Sequence, residues 1–531
     1  MAQSRNGHHQ SWWRFLALGL AAIDCISAAS TSGSKKWPYQ TFRSVDYHPP
    51  QLKVTKNANV TGLDANSTGY LFITPTGADA ADQGPIIISD HNSELIWQGP
   101  TGTAFGFQAH TFEGRPVISY WTGTAFPDPR GFGYGVIKVL DQSYQQIHQV
   151  SLPQVTEDGV FYSGDNMTYP SYVDIHENFV TDRGTILVTA TNVTKADLTS
   201  VGGPKDGWLR DSLFYEIDIK TNKVVYRWSS FEHRDDIPIN QTVETLHGEG
   251  SQPSDAFNYF HMNAVSLVGN NTYLVSSRYY CTIFLINGKD GSVIWRLQGK
   301  DGGDFKLGPD AGFCYQHNAR LVNARFVGQG SDRVRLHLHD NANSYYQNGT
   351  RPTSGLLLEL DLKSKEARTI KRFRNPNDPI YAISQGSYQP LRNGHVVLDH
   401  GEVPKIEEYD FSGRWIKTVQ FAADSSSYRG FRQEWVGKPD TTPSLAACST
   451  GNSTNLYMSW NGATEVTSWA IYSGESQKEL QYVKSVPKKG FETSTTVTAP
   501  SSGYVQVEAR QRHVQQGKKS LALSVLGLPS C

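Results

Sequence analysis

The sequence predicts an all-β protein: a six-bladed β-propeller over residues 45–440, followed by a fibronectin- or immunoglobulin-like β-sandwich over 444–531. Three observations carry that prediction. Short apolar strands bounded by acidic or Gly turns recur along most of the chain. Self-similarity over this length favours radial repetition over a single sandwich. Gly (48), Tyr (26) and Trp (12) are plentiful while Met is scarce (4), a usage that suits short strands joined by tight turns. At 531 residues the chain also exceeds one ordinary core, so more than one domain is expected.

In chain order, Arg5 and Arg14 flank a polar start, and Phe15–Ile23 forms an apolar run too short to span a bilayer. Small residues at Ser27–Ser30 then suit a signal peptidase, so residues 1–29 read as a cleaved secretory signal. A polar lead-in runs to about residue 45. The repeated hairpins follow, at Ile86–Asp90 with Glu94–Trp97, Tyr134–Asp141, and Leu213–Asp218 with Val224–Trp228. Further copies lie at Ile283–Asn287 with Val293–Trp295, Leu356–Asp361, and Ile406–Asp410 with Trp415. Each is a buried strand, an Asx turn and a returning strand. Past a polar linker at Trp435–Pro443, alternating strands resume around Trp460, Trp469–Tyr472, Tyr504–Glu508 and Ser520–Val525.

Charge is balanced, with 49 basic and 50 acidic residues, and this excludes the basic footprint that nucleic acid requires. Eight Asn-x-Ser/Thr sequons, at Asn59, Asn66, Asn166, Asn192, Asn240, Asn270, Asn348 and Asn452, support a eukaryotic secretory route. Without Cys25 the chain keeps four cysteines, which allow three pairings in an oxidising compartment. The most local choice joins Cys281 to Cys314 and Cys448 to Cys531. The alternative leaves Cys281 and Cys314 as small buried residues.

Propellers gather ligands where their inner strands converge at the channel, so polar residues at matching points of different copies carry the chemistry. Asp174-Ile-His176-Glu-Asn, Phe260-His261-Met-Asn263, Tyr315-Gln-His317-Asn318 and Ser387-Tyr-Gln389-Pro each precede a strand. Three of these four positions hold His, in a chain with sixteen. Neutral imidazole is a nucleophile and a general acid or base near neutral pH. Arg278 adds a planar cation able to grip two oxygens of an anion, and Asn263 an amide donor. Together they suit a tetrahedral oxyanion such as sulfate or phosphate. His337 and His339 share one strand face, and His339 is a candidate substrate contact. His395 and His400 rank below it.

The segments DIHEN, FHMNAVSLVGNNTYLVSSR, FCYQHNARLV and SYQPLRNGHVVLDHG resemble the arylsulfotransferase family, and most closely its fungal secreted branch, over roughly residues 85 to 435. The resemblance implies a six-bladed propeller that moves a sulfuryl group from an aryl sulfate to a phenol. It would do so through a sulfohistidine, with no nucleotide sulfate donor and no cofactor. Residue by residue, His317 takes the nucleophile's place. His261 and Asn263 take the His-x-Asn places, Arg278 that of the sulfuryl-binding Arg, and His176 that of the further channel histidine.

Three other readings compete. A lone histidine before a strand is ordinarily structural, and Arg278 has Asp301 or Asp304 as an alternative partner. Three histidines suit zinc or copper, but a neighbouring Arg opposes a metal, so no metal site is expected. The alternative to an enzyme is a non-catalytic secreted propeller that binds a glycan, an anionic ligand or a protein. The sequence is silent on oligomeric state.

Overall fold

The computed structural model describes residues 37–60, 68–126, 131–322, 332–347, 349, 351–451, 453–498, 503–512 and 517–531. The expected signal segment 1–29 and the sequons at Asn66, Asn348 and Asn452 lie outside them. The chain is all-β. Among the described residues the only helical pieces are single 3-10 turns at Thr199–Val201, Ile239–Gln241 and Pro253–Asp255.

Six antiparallel sheets follow one another along the described chain. The first holds Tyr70–Ile73, Ile86–Ile88 and Leu95–Gln98, and Phe431–Gln433 from the far end of the chain pairs on its free edge. The second is Ala104–Phe112, Arg115–Ala125, Gly133–Leu140 and Gln146–Val150. The third is Asn178–Val180, Thr185–Ala196, Gly207–Asp218 and Val224–Ser229. Met262–Val268, Thr272–Ser277, Thr282–Asn287 and Val293–Leu297 make the fourth. The fifth is His317–Leu321, Arg333–Asp340, Ser354–Asp361 and Glu366–Phe373, with Lys306–Leu307 parallel on its outer edge. In the sixth, Ser387–Pro390, Val396–Asp399, Lys405–Tyr409 and Trp415–Gln420 are joined by Lys53–Lys56 from near the start of the chain.

The strands read as continuous apolar runs because both faces of each sheet are covered. Side chains alternate across a strand. Ile86 and Ile88 therefore enter the cluster shared with the sixth sheet, while Ile87 between them enters the cluster shared with the second. Leu356 and Leu358 pack toward the fourth sheet and Leu357 toward the sixth. Each hydrophobic cluster is built mainly from two consecutive sheets: first with second, second with third, third with fourth, fourth with fifth, fifth with sixth. A further cluster joins the sixth back to the first.

The acidic turn signals are carboxylates that cap hairpins. Asp141 accepts from the Ser143 N–H at 2.8 Å, Asp218 from the Thr221 N–H at 2.8 Å and Asp361 from the Ser364 N–H at 2.9 Å. After the sixth sheet, Ser444–Thr450, Ser453–Ser459 and Thr493–Val497 form one antiparallel sheet. Gln481–Pro487, Val466–Gly474, Tyr504–Gln511 and Lys518–Lys519 form another, and a cluster around Trp469, Met458 and Val507 lies between the two. These sheets are seated on the first. Lys488 pairs with Glu94 at 2.7 Å, Phe491 packs on Phe42, and the Asn461 amide brackets the backbone of Gln98.

Both local cysteine pairs are bonded: Cys281 with Cys314, and Cys448 with Cys531. No described helix is long and apolar enough to cross a membrane. Of the sequon asparagines within the described residues, Asn59, Asn166, Asn240 and Asn270 are exposed, while Asn192 is half-buried and accepts from the Tyr162 N–H at 2.7 Å.

Candidate functional site

The first strands of the second, fourth and fifth sheets carry a distortion near their start. The register slips by one residue between Phe105 and Gln108, between Met262 and Ala264, and between His317 and Arg320. A bulge bends its strand and re-aims the side chains beside it. His261 (φ 52°), Tyr315 (φ 52°) and Asn318 (φ 52°) also sit in the left-handed region, which non-glycine residues enter at a cost of roughly 1–3 kcal/mol each. Three such residues in one place mark where packing overrides local preference.

Four of the residues expected from the sequence converge there. The His317 ring packs edge-on against Tyr428 with centroids 5.0 Å apart, and Tyr428 lies 6.0 Å from the His176 ring. His176 is edge-on to His261 at 4.9 Å, and His261 packs 4.8 Å from Tyr279. Arg278 follows next, its guanidinium over the rings of Tyr279 and Tyr315. All four are at most 6% exposed.

Hydrogen bonds assign a role to each imidazole. His317 Nδ1 is 2.6 Å from the Gly386 carbonyl, which only an N–H can satisfy, so the lone pair resides on Nε2. Nε2 accepts from the Tyr428 hydroxyl at 3.0 Å, and that hydroxyl also lies 3.1 Å from the His176 carbonyl. Burial, reinforced by the nearby Arg429 charge, holds the His317 pKa well below the ordinary imidazole value. His176 Nδ1 hydrogen-bonds the Asp174 carboxylate, which leaves Nε2 facing the cluster. Asn258 Nδ2 lies 2.8 Å from His261 Nδ1, and with the amide donating, the ring proton of His261 is on Nε2. Burial, with the Arg278 and Arg210 charges nearby, holds the His261 pKa well below the ordinary imidazole value as well.

The other expected residues are placed differently. Arg278 pairs with neither Asp301 nor Asp304. It donates to the Tyr315 carbonyl at 3.1 Å and to the Ile383 carbonyl, while Asp301 accepts from Gln241 and Asp304 from the Arg296 N–H. Asn263 turns its Nδ2 onto the Gln316 carbonyl at 2.7 Å, bracing the residue before His317. His339 is the cross-strand partner of His317, and its Nε2 lies 3.3 Å from His400 Nδ1. His400 in turn reaches Glu407 at 3.1 Å.

The sequence reading left out the ion cluster that packs beneath this site. Glu177, fully buried, accepts from Arg320 at 2.6 Å, from Arg429 at 2.9 Å and from the Val265 N–H at 3.2 Å. Arg429 also donates to the Asn263 carbonyl at 2.7 Å. Burial pushes the Glu177 pKa up, but the two guanidiniums outweigh it and hold the carboxylate below its usual range. The signals were in the sequence. Glu177 is the residue after His176, and Tyr428-Arg429 stands just ahead of the strand Phe431–Gln433.

The two buried neutral histidines predict a pH profile. Each must gain a proton to lose its lone pair, and each does so only well below the ordinary imidazole pKa of about 6.5. In an NMR titration the ring signals of His317 and His261 are therefore expected to stay constant down to about pH 6.5 and to shift only in more acid solution. A shift at or above that pH would mean that His317 is not held neutral.

Residues 108–422, more than half of the chain, match the family model described as Arylsulfotransferase (ASST). The chain belongs to the arylsulfotransferase family. No curated protein matches it. Among solved structures it is similar to a protein of unknown function from Bacteroides caccae, at 13% identity and a TM-score of 0.36, covering 69% of this chain and 100% of that one. Another is the Cps50 (Swd1) beta-propeller domain of Myceliophteria thermophila, at 7% identity and a TM-score of 0.29, with 76% and 97% covered. A third is Saccharomyces cerevisiae Sqt1, at 8% and 0.29, with 71% and 76% covered. At such low scores and identities these likenesses say nothing of chemistry.

Proposed function

We propose that the protein transfers a sulfuryl group from an aryl sulfate ester to a phenol through a sulfohistidine at His317. One observation carries the reading: a buried imidazole, held well below its ordinary pKa, whose Nδ1 proton goes to a backbone carbonyl and whose Nε2 lone pair lies 3.0 Å from the Tyr428 hydroxyl. That is the form in which imidazole is a nucleophile.

In the first half-reaction Nε2 attacks sulfur, the bond from sulfur to the aryl oxygen breaks, and the phenol leaves. His176, braced by Asp174, gives the leaving oxygen its proton, as an oriented base–acid does in acyl transfer. In the second half the acceptor phenol returns a proton to His176, its oxygen attacks sulfur, and His317 is released. His261 Nε2–H and the Arg278 guanidinium meet charge as it grows on the sulfuryl oxygens. His339, linked to His400, backs the nucleophile's strand and reaches the substrate less directly.

The wider reading follows the same lines. Six consecutive sheets with a shared core at every junction, and a first sheet completed by a strand from the far end of the chain, support a six-bladed propeller over residues 45–440. Two facing sheets with one core support the sandwich over 444–531. Two disulfides favour an oxidising compartment, hence secretion after loss of residues 1–29 and glycosylation at the exposed sequons. Mass spectrometry tests the chemistry. With aryl sulfate and no phenol, one sulfuryl group is expected on the peptide carrying His317, and phenol is expected to discharge it. An unlabelled protein that still binds sulfated ligands would instead be a non-catalytic anion-binding propeller.

A further inference from the structure

We infer that Arg210 is a second sulfuryl-binding cation, one that the family motifs do not include; the inference rests on the sulfuryl-transfer reading above. Arg210 belongs to the strand Gly207–Asp218 of the third sheet and is 1% exposed. Its backbone is fixed, since its N–H donates to the Phe257 carbonyl at 2.9 Å. Its side chain is not. Nε and Nη1 are buried and have no hydrogen-bond partner, and no carboxylate among the described residues forms an ion pair with it. Glu249, close enough to feel the charge, accepts instead from the Asn258 N–H at 3.3 Å.

A buried guanidinium without a partner is costly, because it gives up its hydration for nothing. Its position points to what completes it. The Arg210 guanidinium lies 5.1 Å from the Phe132 ring, and the same ring packs 4.9 Å from His261 and 5.5 Å from His176. Phe132 is thus a common wall for the unpaired cation and two of the site histidines. Arg278, the cation expected from the sequence, already has one Nη on the Tyr315 carbonyl and the other on that of Ile383. Arg210 is the guanidinium with hydrogen-bond donors to spare. A tetrahedral anion beside His261 would accept from Nε and Nη1 together in the fork geometry that arginine offers.

A structural arginine and a ligand-binding arginine predict opposite signs for one substitution. Replacing a buried unpaired charge by an apolar side chain of similar length removes a desolvation penalty. Arg210→Met is therefore expected to raise the melting temperature while lowering kcat/KM for an aryl sulfate by roughly 100- to 1,000-fold, the usual effect of removing one oxyanion donor. Inorganic sulfate is expected to raise the melting temperature of the wild type and not that of Arg210→Met. Arg210→Lys, which keeps charge but not the fork, is expected to fall between them. Three results would overturn the inference: sulfate stabilising both proteins equally, Arg210→Met transferring like the wild type, or Arg210→Met unfolding at lower temperature. A wild type that is stabilised by sulfate through Arg210 but transfers nothing would uphold the anion site and reject sulfuryl transfer.

Discussion

His317→Ala is expected to abolish the proposed transfer, with kcat/KM falling by roughly 10⁴- to 10⁶-fold, the range seen when the central group of a covalent mechanism is removed. The size of the effect follows from the geometry. His339 and His400 are turned toward each other and toward Glu407, His261 has its Nδ1 occupied by Asn258, and His176 is tied to Asp174, so none of these four takes the place of His317. The fold is expected to survive, because His317 makes two hydrogen bonds, to Gly386 and Tyr428, and bears no buried charge. Added imidazole should restore release of phenol from the aryl sulfate, since the space left is the shape of the missing ring. Transfer at the wild-type rate by a folded His317→Ala protein would end the sulfohistidine reading.

Glu177→Gln is the most destabilising of the substitutions considered, at about 3–5 kcal/mol, because it strands one fully buried and one largely buried guanidinium. Among the described residues Arg429 pairs with no other carboxylate, its second Nη going to the Asn263 carbonyl. Chemical denaturation would measure the loss, and a cost below about 1 kcal/mol would mean that the cluster does not hold the site. Replacing Glu177, Arg320 and Arg429 together by apolar residues is expected to cost less than Glu177→Gln alone, since no charge is then left without its partner. The pH dependence has a definite sign. The folded carboxylate titrates below its unfolded value, so this stability is complete above the unfolded carboxylate pKa and is lost as pH falls through the folded one.

The two arginine environments explain why the sequence disclosed only part of the site. Hairpins were legible because their signals are local: Asp361 caps its own turn three residues on, and Ile86-Ile-Ile writes both faces of a buried strand into consecutive positions. The histidines were legible because repetition puts them at matching points ahead of inner strands. Pairing was not. Arg210 and Arg429 differ only in what surrounds them, one facing Phe132 and the other Glu177, and neither neighbour is near in sequence. Asn263 was assigned to the substrate, but the bulge at Met262–Ala264 turns its amide onto the Gln316 carbonyl, a change in direction that composition does not reveal. The strand that completes the first sheet, Phe431–Gln433, is three residues long and pairs with Tyr70–Phe72, so no periodicity exposes it.

That closing strand also sets the order in which the protein becomes competent during its synthesis. Tyr428 and Arg429 reach His317 and Glu177 from the segment just ahead of the strand in which Phe431 pairs with Phe72. A nascent chain that has already emerged as far as His317 holds its histidines without the hydroxyl beside Nε2 and without the cation on Glu177. Five sheets can gather their hairpins as they leave the ribosome, but the histidine cluster gains Tyr428 and Arg429 only with the segment leading to the strand that completes the first sheet. Termination between residues 421 and 427 would therefore leave sheets two to six without Tyr428 and Arg429.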